Sequence, residues 1–92
     1  MLFAITCLDK PDKLDLRMAN RPAHLDYLNG FLPQIAIVGP LLDDAGEKPV
    51  GSLLIMEFAD KNAAEAFAAG DPYAKAGLFQ SVSIRPYRKV LP

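Results

Sequence analysis

Few side chains in this 92-residue chain could move a proton or hold a charge on a substrate, and they are scattered along it. His24 is the only histidine, and imidazole is the side chain whose ordinary pKa suits proton transfer near neutrality. Asp71 stands before Pro72 and Tyr73. A carboxylate beside an imidazole fixes its tautomer and steadies the imidazolium as it forms, which general acid–base work requires. Ser52 follows Gly51 and can donate to an oxyanion. Arg17 and Arg21 are one helical turn apart and in step with His24, the spacing of an anion clamp. Each of these has a plainer reading. A lone histidine on a helix is more often a partly buried structural residue. Aspartate before proline is a common helix N-cap. Ser52 also reads as a strand-start hydroxyl, and the two arginines as a solvated face unless a helix break turns Arg21 outward. Cys7 lies in an apolar run and reads as a buried thiol rather than a nucleophile.

The elements that must position these residues follow from local pattern. Leu2 to Leu8 is a short apolar run, expected as a strand buried on both faces. Asp9 to Asp12 reads as a turn and Lys13 to Ala19 as a short helix. Pro22 should interrupt that helix, because proline in a helix interior loses a hydrogen bond and clashes with the preceding turn, at about 3 kcal/mol. A restart is therefore expected, with Asn20 as N-cap and a second helix from about Arg21 to Leu32 that aligns Leu25, Leu28 and Leu32. This places His24 in a first turn, where the helix dipole disfavours the imidazolium. Ile35 to Leu42 reads as a strand containing Gly39-Pro40, and Asp43 to Pro49 as a hairpin loop. A third strand spans Gly51 to Ala59, with Leu54, Met56 and Phe58 on one face. Asp60 caps a helix from Lys61 to Ala69 that turns Ala63, Ala64, Phe67 and Ala68 inward and ends at Gly70. Asp71-Pro72-Tyr73 opens a single turn that stops at Gly77. Phe79 to Val90 is the last strand, and Pro86 within it argues for an edge or a bulge.

The order βαββαβ, in one copy over residues 1–92, is the ferredoxin-like α+β signature. Its topology gathers distant residues at one end of the sheet: Arg21 to His24, Gly39-Pro40, Gly51-Ser52 and Gly70 to Tyr73. The predicted site is thus His24 and Asp71 as the acid–base pair, with Arg21, Ser52, Gly39, Pro40 and Tyr73 holding a small molecule on the helix side of the sheet.

Composition narrows the rest. Apolar residues make up 51% of the chain, more than a small two-layer fold needs, so a homodimer with sheet stacked on sheet is expected. The formal charge is −1 with mixed signs, which offers no basic stripe for nucleic acid and no polybasic membrane segment. No metal and no cofactor is expected, since one imidazole and the absence of Cys-x-x-Cys, phosphate-loop or dinucleotide motifs leave nothing to hold one. The single cysteine and the start of the chain, which lacks a basic n-region, point to the cytoplasm.

Arg21-Pro22-Ala23-His24-Leu25, Gly39-Pro40, Gly51-Ser52, Asp71-Pro72-Tyr73 with Ala76-Gly77-Leu78, and Val82-x-Ile84-x-Pro86-Tyr87, in that order, resemble the YciI-like (YCII-related) family along nearly the full length. The resemblance implies a ferredoxin-like protomer in a dimeric α+β barrel and an active site whose histidine and aspartate map to His24 and Asp71. It also implies chemistry on small ring compounds, of the kind that removes halide from chlorinated hydroxyquinols. Three functions compete on the residues alone. One is a cofactor-independent lyase or isomerase working through His24 and Asp71. The second is a protein that binds a small ligand in the same pocket without chemistry. The third is a dimerisation module in which His24 and Asp71 lie more than about 6 Å apart, too far to act together.

Overall fold

A computed structural model describes residues 1–92. Four strands form one antiparallel sheet in the order β2-β3-β1-β4: β1 is Leu2–Asp9, β2 Ile35–Leu42, β3 Pro49–Glu57 and β4 Phe79–Tyr87. Helix α1 (Leu14–Asn29) joins β1 to β2 through a 3₁₀ turn at Leu32–Gln34, and α2 (Lys61–Gly70) and the short α3 (Pro72–Lys75) join β3 to β4. This is the expected βαββαβ fold. The last strand stops at Tyr87 rather than Val90, and Pro86 lies on edge strand β4, where a missing N–H is tolerated.

Strand register decides which residues meet the helices. Ile5 lies opposite Leu54 and Ile84, and Cys7 opposite Ser52 and Val82, so these share one face. Phe3, Ile5 and Cys7 of β1 and Leu54 and Met56 of β3 are buried there against Leu28 of α1 and Ala64, Phe67 and Ala68 of α2. Ser52 is the polar residue at the end of that face. The opposite face is the one expected to meet a second copy. Leu2, Ala4 and Thr6 are only half-buried and Leu8 is 47% exposed, so β1 is covered on one side within the protomer.

Helix α1 also departs from the sequence reading. It runs unbroken from Leu14 to Asn29 with Pro22 inside it. Asn20 does not cap a new helix; its Nδ2 donates to the Leu16 carbonyl one turn back, 2.9 Å away. The physical reason is tertiary. The buried residues of α1 are Arg17, His24 and Leu28, seven and four apart, which one continuous helix keeps on one stripe. A restart at Arg21 would rotate the second segment and take His24 out of line with Arg17. Burial of that stripe outweighs the local penalty of proline. Leu25 and Leu32 consequently fall outside the core, at 40% and 61% exposure.

Candidate active site

Four polar residues are buried in the protomer: Arg17, His24, Ser52 and Asp71. All four belong to one cluster around Tyr73, which is itself buried. A buried polar group without a partner loses its hydration and destabilises the fold, so such a concentration has to be fully bonded internally or turned toward a ligand.

Asp71 is set by the corner between two helices. It caps the C-terminus of α2, and its Oδ1 accepts the Tyr73 backbone N–H at 2.9 Å as N-cap of α3. Asp71 precedes proline and takes the extended backbone that proline imposes on its predecessor. The same Oδ1 contacts His24 Nδ1 at 2.9 Å. The capping role and the histidine pairing, alternatives on sequence alone, are therefore made by one oxygen. A neutral imidazole facing an ionised carboxylate, which only accepts, donates from Nδ1 and keeps its lone pair on Nε2. His24 sits in the third turn of α1, not a first turn, and the dipole argument made for a first turn does not apply. Its ring stacks on Tyr73 with centroids 4.0 Å apart and planes 13° apart.

Gly70 serves this corner by close approach. A Cβ there would lie 2.4 Å from the Tyr27 hydroxyl, which donates to the Phe67 carbonyl at 2.9 Å. Gly51 is equally constrained, since a Cβ would meet the Cys7 carbonyl at 2.4 Å. Gly77 is the glycine of this region that needs positive φ, at 75°.

Arg17 is the residue that sequence reasoning misplaced. It is 4% exposed rather than solvated. Its Nε and Nη2 donate to the two Asp9 oxygens at 2.7 and 3.0 Å, and Nη2 also donates to Ser52 Oγ at 2.8 Å. Its guanidinium carbon lies 4.5 Å from the Tyr73 ring centroid, a cation–π distance. Burial pulls the guanidinium pKa down, but hydrogen bonding and attraction to Asp9 outweigh it and raise the pKa above its ordinary value, so the charge is secure. Burial also raises the Tyr73 phenol, opposed by Arg17 and Arg21 and reinforced by Asp71. Asp9, read from sequence only as a turn residue, is the counter-charge. The available signal was its place at the end of β1, eight residues before Arg17, where the start of α1 passes back over the strand.

Arg17, Arg21, His24, Gly39, Pro40, Ser52 and Tyr73 line one cavity of about 450 Å³, closed further by Leu25, Leu28 and Val38. Every residue predicted to hold a substrate is on its wall, and Asp71 stands behind His24. The cavity is on the helix side of the sheet, where Ser52 emerges. The structure has no group of three or more His, Cys, Asp or Glu side chains able to hold a metal. No helix is long and apolar enough to cross a membrane. Cys7 is buried beside this cluster; burial, with Asp71 nearby, pushes its thiol up to about 12, which keeps it protonated and unreactive at neutral pH.

Comparison with known proteins agrees with this architecture. The YCII-related domain family matches residues 1–88. Protein YciI of Escherichia coli O6:H1 is 37% identical over 97 aligned residues, covering 98% of this chain and 99% of its own. A Haemophilus influenzae relative is 32% identical over the same span. Among solved structures, the 5-chloro-2-hydroxyhydroquinone dehydrochlorinase TftG of Burkholderia phenoliruptrix AC1100, in complex with 2,5-dihydroxybenzoquinone, superposes with a TM-score of 0.92 at 35% identity, covering 96% of this chain and 94% of that one. An antibiotic biosynthesis monooxygenase shares the fold alone, at 16% identity and a TM-score of 0.59. The chain belongs to the YCII-related family.

Proposed function

With that membership as the premise, we propose that this protein is a cofactor-independent enzyme of the lyase or isomerase type, acting on a small hydroxylated ring compound by proton transfer at His24. The observation that carries the reading is the contact between His24 Nδ1 and Asp71 Oδ1 at 2.9 Å behind a cavity that His24 lines. Asp71 holds the ring so that Nε2 faces the substrate as the base. The substrate's proton passes to Nε2, and the electron pair it leaves moves toward a ring oxygen. Elimination is complete when the imidazolium delivers that proton to the halogen-bearing carbon, Nε2 then takes a second hydroxyl proton, and the pair so freed flows back through the ring to expel the halide with its bonding pair, the proton passing from His24 to water; isomerisation is complete when the imidazolium returns the proton at another carbon. Ser52, Tyr73 and Arg21 hold the oxygens, and Gly39 and Pro40 shape the far wall. Dehydrochlorination, the reaction named for TftG, is the form of this chemistry tested first.

The active unit in this reading is a cytoplasmic homodimer. The half-buried outer face of the sheet, with Leu53 and Ile55 of β3 beside Ala4 and Thr6 of β1, supports a second copy stacked there. A sedimentation velocity profile of a stable monomer at micromolar concentration overturns that part.

The test of the reaction is His24→Ala assayed on 5-chloro-2-hydroxyhydroquinone. The expected loss of turnover is about two orders of magnitude or more, with binding of 2,5-dihydroxybenzoquinone retained. Unchanged turnover, or ligand binding with no turnover in the parent protein on any chlorinated hydroxyquinol, overturns the catalytic reading and leaves a binding protein.

A further inference from the structure

The polarity of the cavity wall says which ionisation state of a ligand fits it. Its charged side chains are Arg17 and Arg21, and no carboxylate is on the wall. The two carboxylates of the cluster face away: Asp9 is engaged by Nε and Nη2 of Arg17, and Asp71 by His24 and a backbone N–H. The site is thus near neutral as a whole while its inner surface is positive, which is a stable way to build an anion site in a small fold.

The hydrogen-bond inventory points the same way. Arg17 commits Nε and Nη2 to the protein and leaves Nη1 without a hydrogen bond. The Tyr73 hydroxyl lies beside that guanidinium, and Ser52 Oγ accepts from Arg17, leaving its own proton unused. His24 Nε2 is also unpaired. Yet no fully buried side-chain nitrogen or oxygen lacks a partner. Arg17, His24 and Tyr73 all line the cavity, so their remaining hydrogen-bonding capacity faces that space rather than packed protein. Arg21, exposed at the mouth, makes no ion pair in the protomer. The wall offers four donors and one acceptor.

Building on the reading above, we propose that the cleft binds its substrate as a planar ring oxyanion, an ionised hydroxy-ring or enol, rather than as the neutral molecule. The charged oxygen lies against Arg17, Ser52 and Tyr73, and a remaining hydroxyl proton of the ligand faces His24 Nε2. Delocalised charge suits this wall. A guanidinium and two hydroxyls match a flat oxyanion. Leu25, Leu28 and Val38 provide the apolar walls for the ring.

Titration calorimetry at pH 7 with 2,5-dihydroxybenzoquinone, a vinylogous acid that is ionised there, and with its neutral 2,5-dimethoxy ether tests this without turnover. The anion is expected to bind about tenfold or more tightly than the ether, because the ether leaves the donors unpaired. Arg21→Gln, at an exposed position, is expected to weaken the anion by roughly two- to fivefold and leave the ether unchanged, and added salt should weaken the anion alone. Equal affinity for the two ligands, or no change in their ratio in Arg21→Gln, overturns the anion assignment. That failure is separate from failure of the proton-transfer reading, which depends on the turnover of His24→Ala.

Discussion

The inner side of α1 is held down in two different ways along its length. Its first three turns set Arg17 and His24 against Asp9, Tyr73 and Asp71, through ion pairing, ring stacking and hydrogen bonds. Its last turn sets Tyr27 and Leu28, with Phe31 just beyond, against α2 and the start of the loop after β3. There the rings of Tyr27, Phe31 and Phe58 lie 4.8–5.4 Å from Phe67. The aromatic part is ordinary core and stabilises by area removed from water. The polar part buries charges whose desolvation roughly cancels their attraction. Its presence in so short a chain makes sense as a site that the aromatic part is stable enough to carry.

Substitutions in the two parts should separate accordingly. The largest effect is expected from Asp9→Ala, which strands the buried Arg17 guanidinium and should lower stability by about 3–5 kcal/mol, read as the urea midpoint, together with loss of turnover. In the aromatic part, Phe67→Leu should lower stability by roughly 1–3 kcal/mol, yet leave turnover unchanged at temperatures well below unfolding. Equal loss of turnover from both would erase the distinction between the parts.

Gly70 and Tyr27 join the two. Gly70→Ala forces its Cβ on the Tyr27 hydroxyl and should displace Asp71 from His24, lowering turnover by about tenfold, more than stability. Tyr27→Phe removes the clashing oxygen and should restore turnover in the Gly70→Ala background; failure of that rescue would break the link. Asp71→Asn should preserve the cap on α3 and the binding of 2,5-dihydroxybenzoquinone while slowing turnover.

A further effect is alkaline. The native fold holds Cys7 protonated up to about 12, against an ordinary value near 9.0. The unfolded chain therefore binds fewer protons above pH 9, and the contribution of Cys7 to stability is flat below that and falls as pH rises toward 12. Tyr27 and Tyr73, both raised chiefly by burial, add to the fall above pH 10. Cys7→Ala should shallow the limb that begins near pH 9 in a series of urea titrations.

Much of this could be read from the chain, and the reasons for the rest are specific. Strand alternation, the Asp60 and Asp71 caps and the meeting of His24, Ser52, Gly39 and Tyr73 at one cavity follow from short-range pattern plus topology. The continuity of α1 through Pro22 does not, because a local rule about proline cannot see that Arg17, His24 and Leu28 share one buried stripe. The burial of Arg17 was hidden for the same reason: its partners, Asp9 and Ser52, come from strand ends that only the folded sheet brings beneath it.

The orientation of His24 is the point on which the proposed chemistry turns. Nitrogen-15 long-range correlation NMR of the neutral imidazole in the unliganded protein reads its tautomer directly. The expected result is a single Nδ1–H tautomer, the form held by Asp71, with Nε2 unprotonated toward the cavity. A ring protonated on Nε2, or an averaged mixture of the two forms, would contradict the assignment of His24 as a base oriented by Asp71.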